Sequence, residues 1–161
     1  MGRGVAGWPG FGLGSDGFLT ASVEYRDRER TNRSDLDPRF NPSQVRGAQG
    51  DPESEDLAVY LNAGKPLAAG WEAYGWVGYQ TSAASAAAFY RTPTDNAQNP
   101  AYASGRVYPD GYLPYILTDT TDWTTAAGLK GQAGGFDIDI NLGYGKNEID
   151  FSVEKTLNPS L

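Results

Sequence analysis

The side chains of this chain that could do chemistry are carboxylates, arginines, tyrosines and hydroxyls, because histidine and cysteine are absent. Imidazole general bases, His-ligated zinc and thiolate nucleophiles are therefore excluded. The densest acidic run contains Asp137, Asp139 and Asn141, whose oxygens are of the type that binds Ca²⁺. An EF-hand loop that starts at Asp137 needs glycine at its sixth position, where Leu142 stands. The alternation of this run with isoleucine indicates instead the water-facing side of a β-strand.

The remaining candidates are residues that would bind a ligand rather than react with it. Glu24 and Arg26 alternate with apolar residues, and in a barrel they would face the lumen. Tyrosine rings offer a flat apolar surface with a polar tip, which suits a sugar or a siderophore, and packing within a loop is the alternative. The candidate lumen-facing or ligand-contacting residues are Glu24, Arg26, Tyr90, Arg91, Tyr108 and Tyr112. No catalytic residue, cofactor or metal site is predicted, so we expect a protein that is not an enzyme.

The charge balance argues against nucleic acid as a partner. Lysine and arginine together number 13 against 20 acidic residues, which gives a formal net charge of -7. Nucleic-acid-binding proteins normally present a basic surface to the phosphates. The arginine-rich run at residues 26–33 alternates with acidic residues, so much of its charge is neutralised and it indicates a solvated loop.

Composition and hydrophobic alternation together predict an all-β fold. Glycine contributes 21 residues and tyrosine 10, while hydrophobic residues make up only 39% of the chain. This composition is typical of strands joined by many turns. Alternating apolar residues predict strands at residues 18–27, 57–63, 71–80, 123–132 and 136–145. The apolar positions change from even to odd after Gly145, which predicts a bulge near residues 145–147 and a sixth strand if residues 146–155 pair separately.

The predicted connections alternate between long and short. Residues 1–16 are rich in glycine and are expected to be irregular, and two long polar segments cover about residues 28–56 and 81–122. Antiparallel strands place alternate connections at opposite ends of a sheet, so we expect short turns at one end and long loops at the other. Outer-membrane barrels have this layout. Aromatic residues near the strand ends suit the interfacial girdles of such barrels, and they are Tyr25, Trp71, Tyr79, Trp123, Phe136 and Tyr144.

Several stretches carry motifs that are typical of one family. They are residues 17–28 (GFLTASVEYRDR) with 31–33 (TNR), 88–91 (AFYR), 108–114 (YPDGYLP), 128–131 (GLKG), and the closing residues 144–148 (YGKNE), Phe151 and 156–161 (TLNPSL). On these motifs, residues 17–161 resemble the barrel of TonB-dependent outer-membrane receptors.

The resemblance implies a protein of the bacterial outer membrane that takes up a scarce solute, such as a siderophore, a vitamin or an oligosaccharide. The implied partners are the outer-membrane lipid, the small-molecule substrate and the TonB complex, which acts through a plug domain in the full receptor. The resemblance implies no cofactor.

The sequence also departs from that family. It has no counterpart of the plug domain or of a TonB-binding box, and residues 159–161 lack the terminal aromatic residue of a completed barrel. The predicted strands are fewer than the roughly eight of the smallest single-chain barrels. We therefore expect an open, curved, antiparallel up-and-down segment of a transmembrane β-barrel. The alternatives are a soluble β-sandwich carbohydrate-binding module and a small complete outer-membrane barrel that acts as an adhesin or a pore.

Overall fold

Seven β-strands form one antiparallel sheet in the computed structural model, which describes residues 2–160. The strands are β1 (Gly2–Gly7), β2 (Gly10–Leu13), β3 (Gly17–Arg28), β4 (Glu53–Pro66), β5 (Glu72–Ala87), β6 (Tyr115–Ala133) and β7 (Phe136–Glu154). From β3 onward each strand pairs with the next along the chain, and β1 and β2 both pair with β3. The predicted all-β, antiparallel up-and-down fold is confirmed.

The sheet is open. Its edges are β7 on one side and β1 with β2 on the other. A β-sandwich needs a second sheet, whereas residues 2–160 contain one sheet only. A complete barrel needs its first and last strands to pair, and here they do not. Neither alternative fold describes this sheet. In residues 2–160 no helix is long and apolar enough to cross a membrane.

Short and long connections alternate along the chain, as the sequence predicts. The short turns are residues 14–16, 67–71 and 134–135. The long connections are residues 29–52, which we call loop L1, and residues 88–114, which we call loop L2. Because the strands are antiparallel, the short turns lie at one end of the sheet and both loops lie at the other. The loops are shorter than the expected 28–56 and 81–122 because β4, β5 and β6 extend beyond their hydrophobic stretches.

The register of the sheet separates apolar from polar side chains. Residues directly opposite each other in an antiparallel pair point to the same face. The successive partners Leu19, Ala63, Gly75, Ala127 and Leu142 therefore share one face, which carries the odd residues of β3 to β6 and the even residues of β7. We call it the apolar face, and its side chains include Leu19, Val23, Leu57, Val59, Leu61, Val77, Leu129, Ile138, Ile140 and Leu142.

The opposite side of the sheet, which we call the polar face, carries most of the charged and amide side chains of the strands. They include Glu24, Arg26, Asp56, Asn62, Gln80, Asp122, Lys130, Asp137, Asp139 and Asn141. The predicted water-facing side of the run from Asp137 to Asn141 therefore lies on the same side as Glu24 and Arg26.

The apolar face has nothing to pack against among residues 2–160. Tyr112 in loop L2 is the one large apolar or aromatic side chain of these residues that is buried. On the apolar face, Leu142 is 81% exposed, Phe136 74% and Ile140 68%. Proteins surrounded by water bury such side chains in a core, and large exposed apolar patches mark contact with another molecule or with lipid.

The N-terminal segment differs from its expected irregular structure. Residues 2–13 form β1 and β2, which pair with β3 in one continuous register from Gly2–Arg28 to Leu13–Gly17. The glycines that favour turns in isolation here lie mostly on the polar face, while Val5, Phe11 and Leu13 continue the apolar face. Pairing with β3 overrides the weak intrinsic strand preference of glycine. Met1 lies outside the described residues.

The expected bulge in the last strand is wrong. β7 pairs with β6 without interruption from Phe136–Ala133 to Glu154–Tyr115, and residues 145–147 keep their partners. No separate sixth strand is therefore formed by residues 146–155. The strand itself is straight. The apolar side chains change faces because they stand at even positions up to Tyr144 and at odd positions from Ile149 onward. Beyond Tyr144 the polar face carries Ile149 and Phe151, and the apolar face becomes charged.

Aromatic rings on the polar face lie over glycines of the neighbouring strand. Tyr74 is directly opposite Gly128, and a Cβ at this glycine would lie 2.7 Å from Cζ of the ring. Cross-strand pairs of the same kind are Phe18–Gly64 and Tyr60–Gly78. The ring fills the space that the glycine leaves, so these glycines are packing positions.

We expect Gly128→Val to lower the free energy of unfolding by about 1–3 kcal/mol, because overpacking forces the ring of Tyr74 aside. The new Cβ would also lie 2.8 Å from Cβ of Asn141. The matched control is Gly145→Val on the same face, where the nearest atom, the Trp123 carbonyl oxygen, is 3.8 Å away. Denaturant titration of tryptophan fluorescence in detergent measures both variants. Equal losses would contradict the packing role.

Candidate functional site

Loops L1 and L2 pack against each other at the end of the sheet that carries them. The ring of Phe40 in L1 meets the ring of Tyr90 in L2 edge-on, with centroids 5.8 Å apart. The guanidinium of Arg46 lies 5.1 Å from the centroid of Phe40 and 6.0 Å from that of Tyr90. A cavity of about 520 Å³ is lined by residues of both loops. Its volume lies in the range of small-molecule sites.

Loop L1 is a folded-back segment rather than an extended one. The Thr31 amide donates to the Asp51 carbonyl at 3.1 Å, and the Arg33 amide donates to the Gln49 carbonyl at 2.7 Å. Closer to the tip, the Asp37 amide donates to the Gln44 carbonyl at 2.8 Å. These bonds bring the two halves of L1 together, and Asp37 reaches the cavity from one half.

Arg30 fixes the base of loop L1 to the sheet. Its Nη2 donates to the carbonyl and to the hydroxyl of Ser85, at 3.1 and 2.7 Å, and lies 3.1 Å from a carboxylate oxygen of Glu53. The guanidinium also lies 4.3 Å from the ring centroid of Tyr115. The arginine-rich run that the sequence assigned to a solvated loop therefore contains one residue that joins L1 to β4, β5 and β6.

Loop L2 folds around its own polar and aromatic side chains. Asn99 is fully buried, and its Nδ2 donates to the Tyr108 carbonyl at 2.8 Å. The hydroxyl of Tyr112 donates to the Gln98 carbonyl at 2.8 Å, and burial raises the pKa of this phenol. The rings of Tyr108 and Tyr112 lie with centroids 4.3 Å apart. Tyr112 packs the interior of L2, whereas Tyr108 is half-buried and its hydroxyl donates to the Thr156 carbonyl at 3.2 Å. Neither tyrosine lines the cavity.

Of the six residues expected to contact a ligand or face a lumen, the structure brings Tyr90 and Arg91 to the cavity. The hydroxyl of Tyr90 donates to the Asp110 carbonyl, and the backbone of Arg91 pairs with that of Tyr112. Both residues are therefore held in place by the second half of L2. The other charged residues that line the cavity are Asp35, Asp37, Arg39 and Asp95.

Asp37 and Arg39 form a two-pronged ion pair at the cavity wall. Nε of Arg39 donates to Oδ1 of Asp37 at 2.8 Å, and Nη2 donates to Oδ2 at 2.6 Å. Hydrogen bonding to the guanidinium lowers the pKa of the Asp37 carboxyl and raises the pKa of Arg39. Such a pair presents a fixed row of donors and acceptors to the cavity.

We expect the carboxyl of Asp37 to titrate below the ordinary aspartate value of about 3.9, and to return toward it in Arg39→Gln. The stabilisation from this ion pair is therefore present above the ordinary value and is lost as the pH falls through the lowered pKa of Asp37. Carboxyl ¹³C NMR of selectively labelled aspartate measures the midpoint. An unchanged Asp37 midpoint in Arg39→Gln would refute this assignment.

Glu24 and Arg26 lie on the polar face, away from the cavity lining. Nη2 of Arg26 is 2.6 Å from Oε1 of Glu24, and the two side chains are 65% and 44% exposed. An ion pair with this exposure contributes little to stability. The structure therefore separates the six candidates into a pair in the cavity, a pair of tyrosines in contact within L2, and a pair on the polar face.

Sequence reasoning missed Asp37, Arg39 and Phe89 as cavity residues. The signal for the first two is a proline between opposite charges, at Pro38, which holds a turn and orients both side chains. Phe89 lines the cavity and is 74% exposed, whereas the ring of the next residue, Tyr90, packs against Phe40. No pattern in the sequence shows that the tip of L1 meets the start of L2.

The site has the chemistry of binding. Residues 2–160 contain no group of three or more carboxylates arranged to hold a metal ion. On the polar face, Asp139 accepts hydrogen bonds from the Tyr74 hydroxyl at 2.7 Å and from Nδ2 of Asn141 at 3.3 Å. The cavity instead combines an ion pair, further carboxylates, a guanidinium and exposed aromatic surface, which are groups that bind a polar solute.

Comparison of the chain with protein-family models, with curated proteins and with solved structures finds no match. The functional argument therefore rests on the faces of the sheet, the loops and the cavity.

Proposed function

We propose that this sheet is part of the wall of a transmembrane β-barrel in a bacterial outer membrane, with its apolar face toward lipid and its polar face toward a water-filled lumen. The observation that carries the proposal is the exposed apolar face, which no other described residue covers. Lipid tails would cover side chains such as Ile140 and Leu142, which are 68% and 81% exposed. Water in the lumen would solvate the opposite side.

The length of the apolar band supports a membrane location. On β7, apolar side chains alternate from Phe136 to Tyr144, which spans about nine residues, the length that a tilted strand needs to cross the hydrocarbon. Beyond that point the same face of β7 carries Lys146 and Glu148. The apolar face is therefore bounded by charge on the side of the loops.

Aromatic side chains border the apolar band. Five of the six girdle residues predicted from the sequence lie in strands and share the apolar face, namely Tyr25, Tyr79, Trp123, Phe136 and Tyr144. The sixth, Trp71, precedes β5, and its ring lies next to Gly131, an apolar-face position of β6. Tyr79 and Trp123 are direct cross-strand partners whose ring centroids lie 4.5 Å apart. Tyrosine and tryptophan prefer the boundary between hydrocarbon and water, because each ring has an apolar body and a polar group.

The open edges fit a wall that other strands complete. Unpaired backbone groups at β7 and at β1 with β2 would be costly in hydrocarbon, where water cannot bond to them. The proposal therefore includes further strands on both sides.

We further propose that the barrel is that of a TonB-dependent receptor that takes up a scarce solute. The motifs at residues 17–28 and 144–148, the short turns opposite long loops, and a cavity between L1 and L2 support this assignment. In the full receptor the loops capture the solute, the lumen passes it, and the TonB complex acts through the plug domain. No covalent step is required of the barrel.

Alternate labelling of β4 tests the orientation of the sheet. The chain has no cysteine, so single cysteines can be introduced without removing native ones. We expect cysteines at Val59, Leu61 and Ala63 to resist a water-soluble maleimide in lipid bilayers, and cysteines at Ala58, Tyr60 and Asn62 to react. Detergent-denatured protein, in which all six positions react, is the control. Equal reactivity on both faces in bilayers would refute the proposal.

The receptor assignment has a separate test in the genomic DNA on both sides of this reading frame. We expect sequence that encodes a plug domain upstream and further alternating strands downstream. A promoter and stop codons immediately around the frame would contradict the receptor while leaving the membrane orientation intact.

A further inference from the structure

The cavity between loops L1 and L2 carries charges of both signs on its wall. They come from three carboxylates and two guanidiniums, namely those of Asp35, Asp37, Asp95, Arg39 and Arg91. The Asp37–Arg39 pair is already closed by its two hydrogen bonds, which leaves two carboxylates against one guanidinium. A solute with several charges of one sign would meet like charges on this wall, and like charges in contact lower affinity. The wall therefore favours a solute without net charge.

Two of these carboxylates keep an oxygen atom that a solute can use. Oδ1 of Asp95 accepts hydrogen bonds from two backbone amides of L2, both at 3.1 Å, and Oδ1 of Asp35 accepts one from a backbone amide of L1 at 2.7 Å. Among residues 2–160, neither Oδ2 atom has a hydrogen-bond partner. The amide bonds hold both carboxylates in position, so the two remaining oxygens are fixed acceptors.

Arg39 supplies a donor close to these acceptors. Its Nη1 has no hydrogen-bond partner in the part of the chain that the structure describes, because Asp37 takes Nε and Nη2. The pKa of Arg39 is raised by the hydrogen bond to Asp37 first and also by the charge of Asp95, so the Asp95 carboxylate lies near this guanidinium. A hydroxyl group both donates and accepts hydrogen bonds, so it can donate to a carboxylate oxygen and accept from the guanidinium.

Apolar and uncharged polar side chains from both loops complete the wall. Phe89 of L2 and Leu36 of L1 line the cavity, and both side chains are exposed. Ser34 and Gln49 of L1 add uncharged polar groups. A sugar ring has C–H groups on its face and hydroxyls around its edge. A phenyl ring therefore covers the face of a sugar while polar side chains bond to its edge.

We propose that the cavity between L1 and L2 binds a short, uncharged oligosaccharide, whose hydroxyls bond to Asp35, Asp95 and Arg39 and one of whose rings lies on Phe89. The inference rests on the proposed function, because it narrows the solute that the loops capture to a carbohydrate. An iron chelate built on carboxylates or catecholates presents anionic oxygens, which the carboxylates of the wall repel. The cavity volume of about 520 Å³ lies in the range of small-molecule sites.

Saturation-transfer NMR with disaccharide probes tests the proposal. The protein is folded in micelles of a detergent without a sugar headgroup and mixed in turn with maltose, cellobiose and sucrose, then with citrate as the anionic probe and spermidine as the cationic probe. We expect transfer to at least one disaccharide and none to citrate or spermidine. Phe89→Ala is expected to weaken disaccharide binding about two- to tenfold, because the sugar face loses its aromatic contact. The matched control is Phe11→Ala, an exposed phenylalanine of the apolar face, which leaves binding unchanged.

Asp95→Asn distinguishes an uncharged solute from an anionic one by the sign of its effect. The variant keeps an oxygen that accepts the two backbone amides and removes only the charge. Disaccharide binding is expected to weaken about two- to tenfold, because a hydrogen bond to a neutral group is weaker than one to a charged group. An anionic solute would instead bind Asp95→Asn more tightly, because a repelling charge is gone.

The remaining outcomes overturn the proposal. They are transfer to citrate or spermidine but to no disaccharide, disaccharide transfer that Phe89→Ala leaves unchanged, and absence of all transfer while circular dichroism shows intact β-structure. The maleimide pattern on β4 and the genomic DNA report the membrane orientation and the receptor assignment independently. Failure of carbohydrate binding is therefore distinguishable from failure of the proposed function.

Discussion

Leu61→Arg is expected to destabilise the folded protein in a bilayer by about 2–4 kcal/mol, because it places a charge on the lipid side near the middle of the membrane. Leu61 lies on the apolar face between its direct partners Ala21 and Val77. The side chain is 39% exposed, and in the proposed orientation lipid covers the exposed part. Denaturant unfolding of the protein in lipid vesicles, followed by tryptophan fluorescence, measures the loss.

The adjacent residue supplies the matched control. Asn62 points to the polar face, opposite Thr20 and Trp76, so Asn62→Arg places the same charge in the lumen. We expect Asn62→Arg to change the free energy of unfolding by less than about 1 kcal/mol, because water solvates lumen-facing charges. If Asn62→Arg costs as much as Leu61→Arg, the assignment of the faces is wrong.

Arg30→Ala is expected to lower the free energy of unfolding by about 2–3 kcal/mol and to release loop L1 from the sheet. The reason is that one guanidinium bonds to Ser85, pairs with Glu53 and covers the ring of Tyr115, and its side chain is 20% exposed. Hydrogen bonds that involve a charged group contribute about 1.5–3 kcal/mol, and a cation over a ring adds roughly 0.5–1 kcal/mol. Arg30→Lys keeps the charge but loses the forked geometry, so an intermediate loss is expected.

Arg26→Ala is the control for loss of an arginine as such. The Arg26–Glu24 pair is 65% and 44% exposed, and its removal is expected to change stability by less than about 0.5 kcal/mol. Unfolding in detergent measures stability, and limited proteolysis within residues 29–52 measures release of the loop. If Arg30→Ala and Arg26→Ala change stability and proteolysis equally, Arg30 does not fix loop L1 to the sheet.

The interior of the strands could be predicted from the sequence, whereas their ends could not. Alternation located the parts of β3, β4, β5, β6 and β7 that carry apolar side chains, because such side chains recur at every second residue. Residues 81–87 and 115–122 are small or rich in threonine and show no such alternation, yet β5 and β6 pair along this whole stretch. Their extension comes from cross-strand hydrogen bonds.

The change of parity after Gly145 shows the limit of pattern reasoning. If one face of a strand stays apolar along its length, a shift of the apolar residues from even to odd positions predicts a bulge. In the structure β7 continues unbroken, and the face itself changes from apolar to charged between Tyr144 and Lys146. The alternation of apolar residues along β7 therefore changes with the environment of each face, and the backbone of the strand does not change.

The candidate site was the least predictable part. Tyr90 and Arg91 line the cavity, whereas Tyr108 and Tyr112 pack against each other, although all four are aromatic or charged residues of one loop. Nothing local distinguishes the two groups. The difference arises from the contact of L2 with Phe40 of loop L1, and from the folding of L2 around a buried asparagine.

The sequence by itself determined the fold class, the alternation of turns and loops, and the side of the sheet to which residues of the predicted strands point as far as Gly145. These features are local, because side chains of an extended backbone alternate at every residue and turn-forming residues act within a few positions. Only the tertiary structure decided that residues 2–13 form an edge of the sheet, that β7 is straight, and that L1 and L2 meet around a cavity. These features depend on hydrogen bonds and contacts between residues far apart in the chain, whose free energy outweighs the weak preferences of single residues.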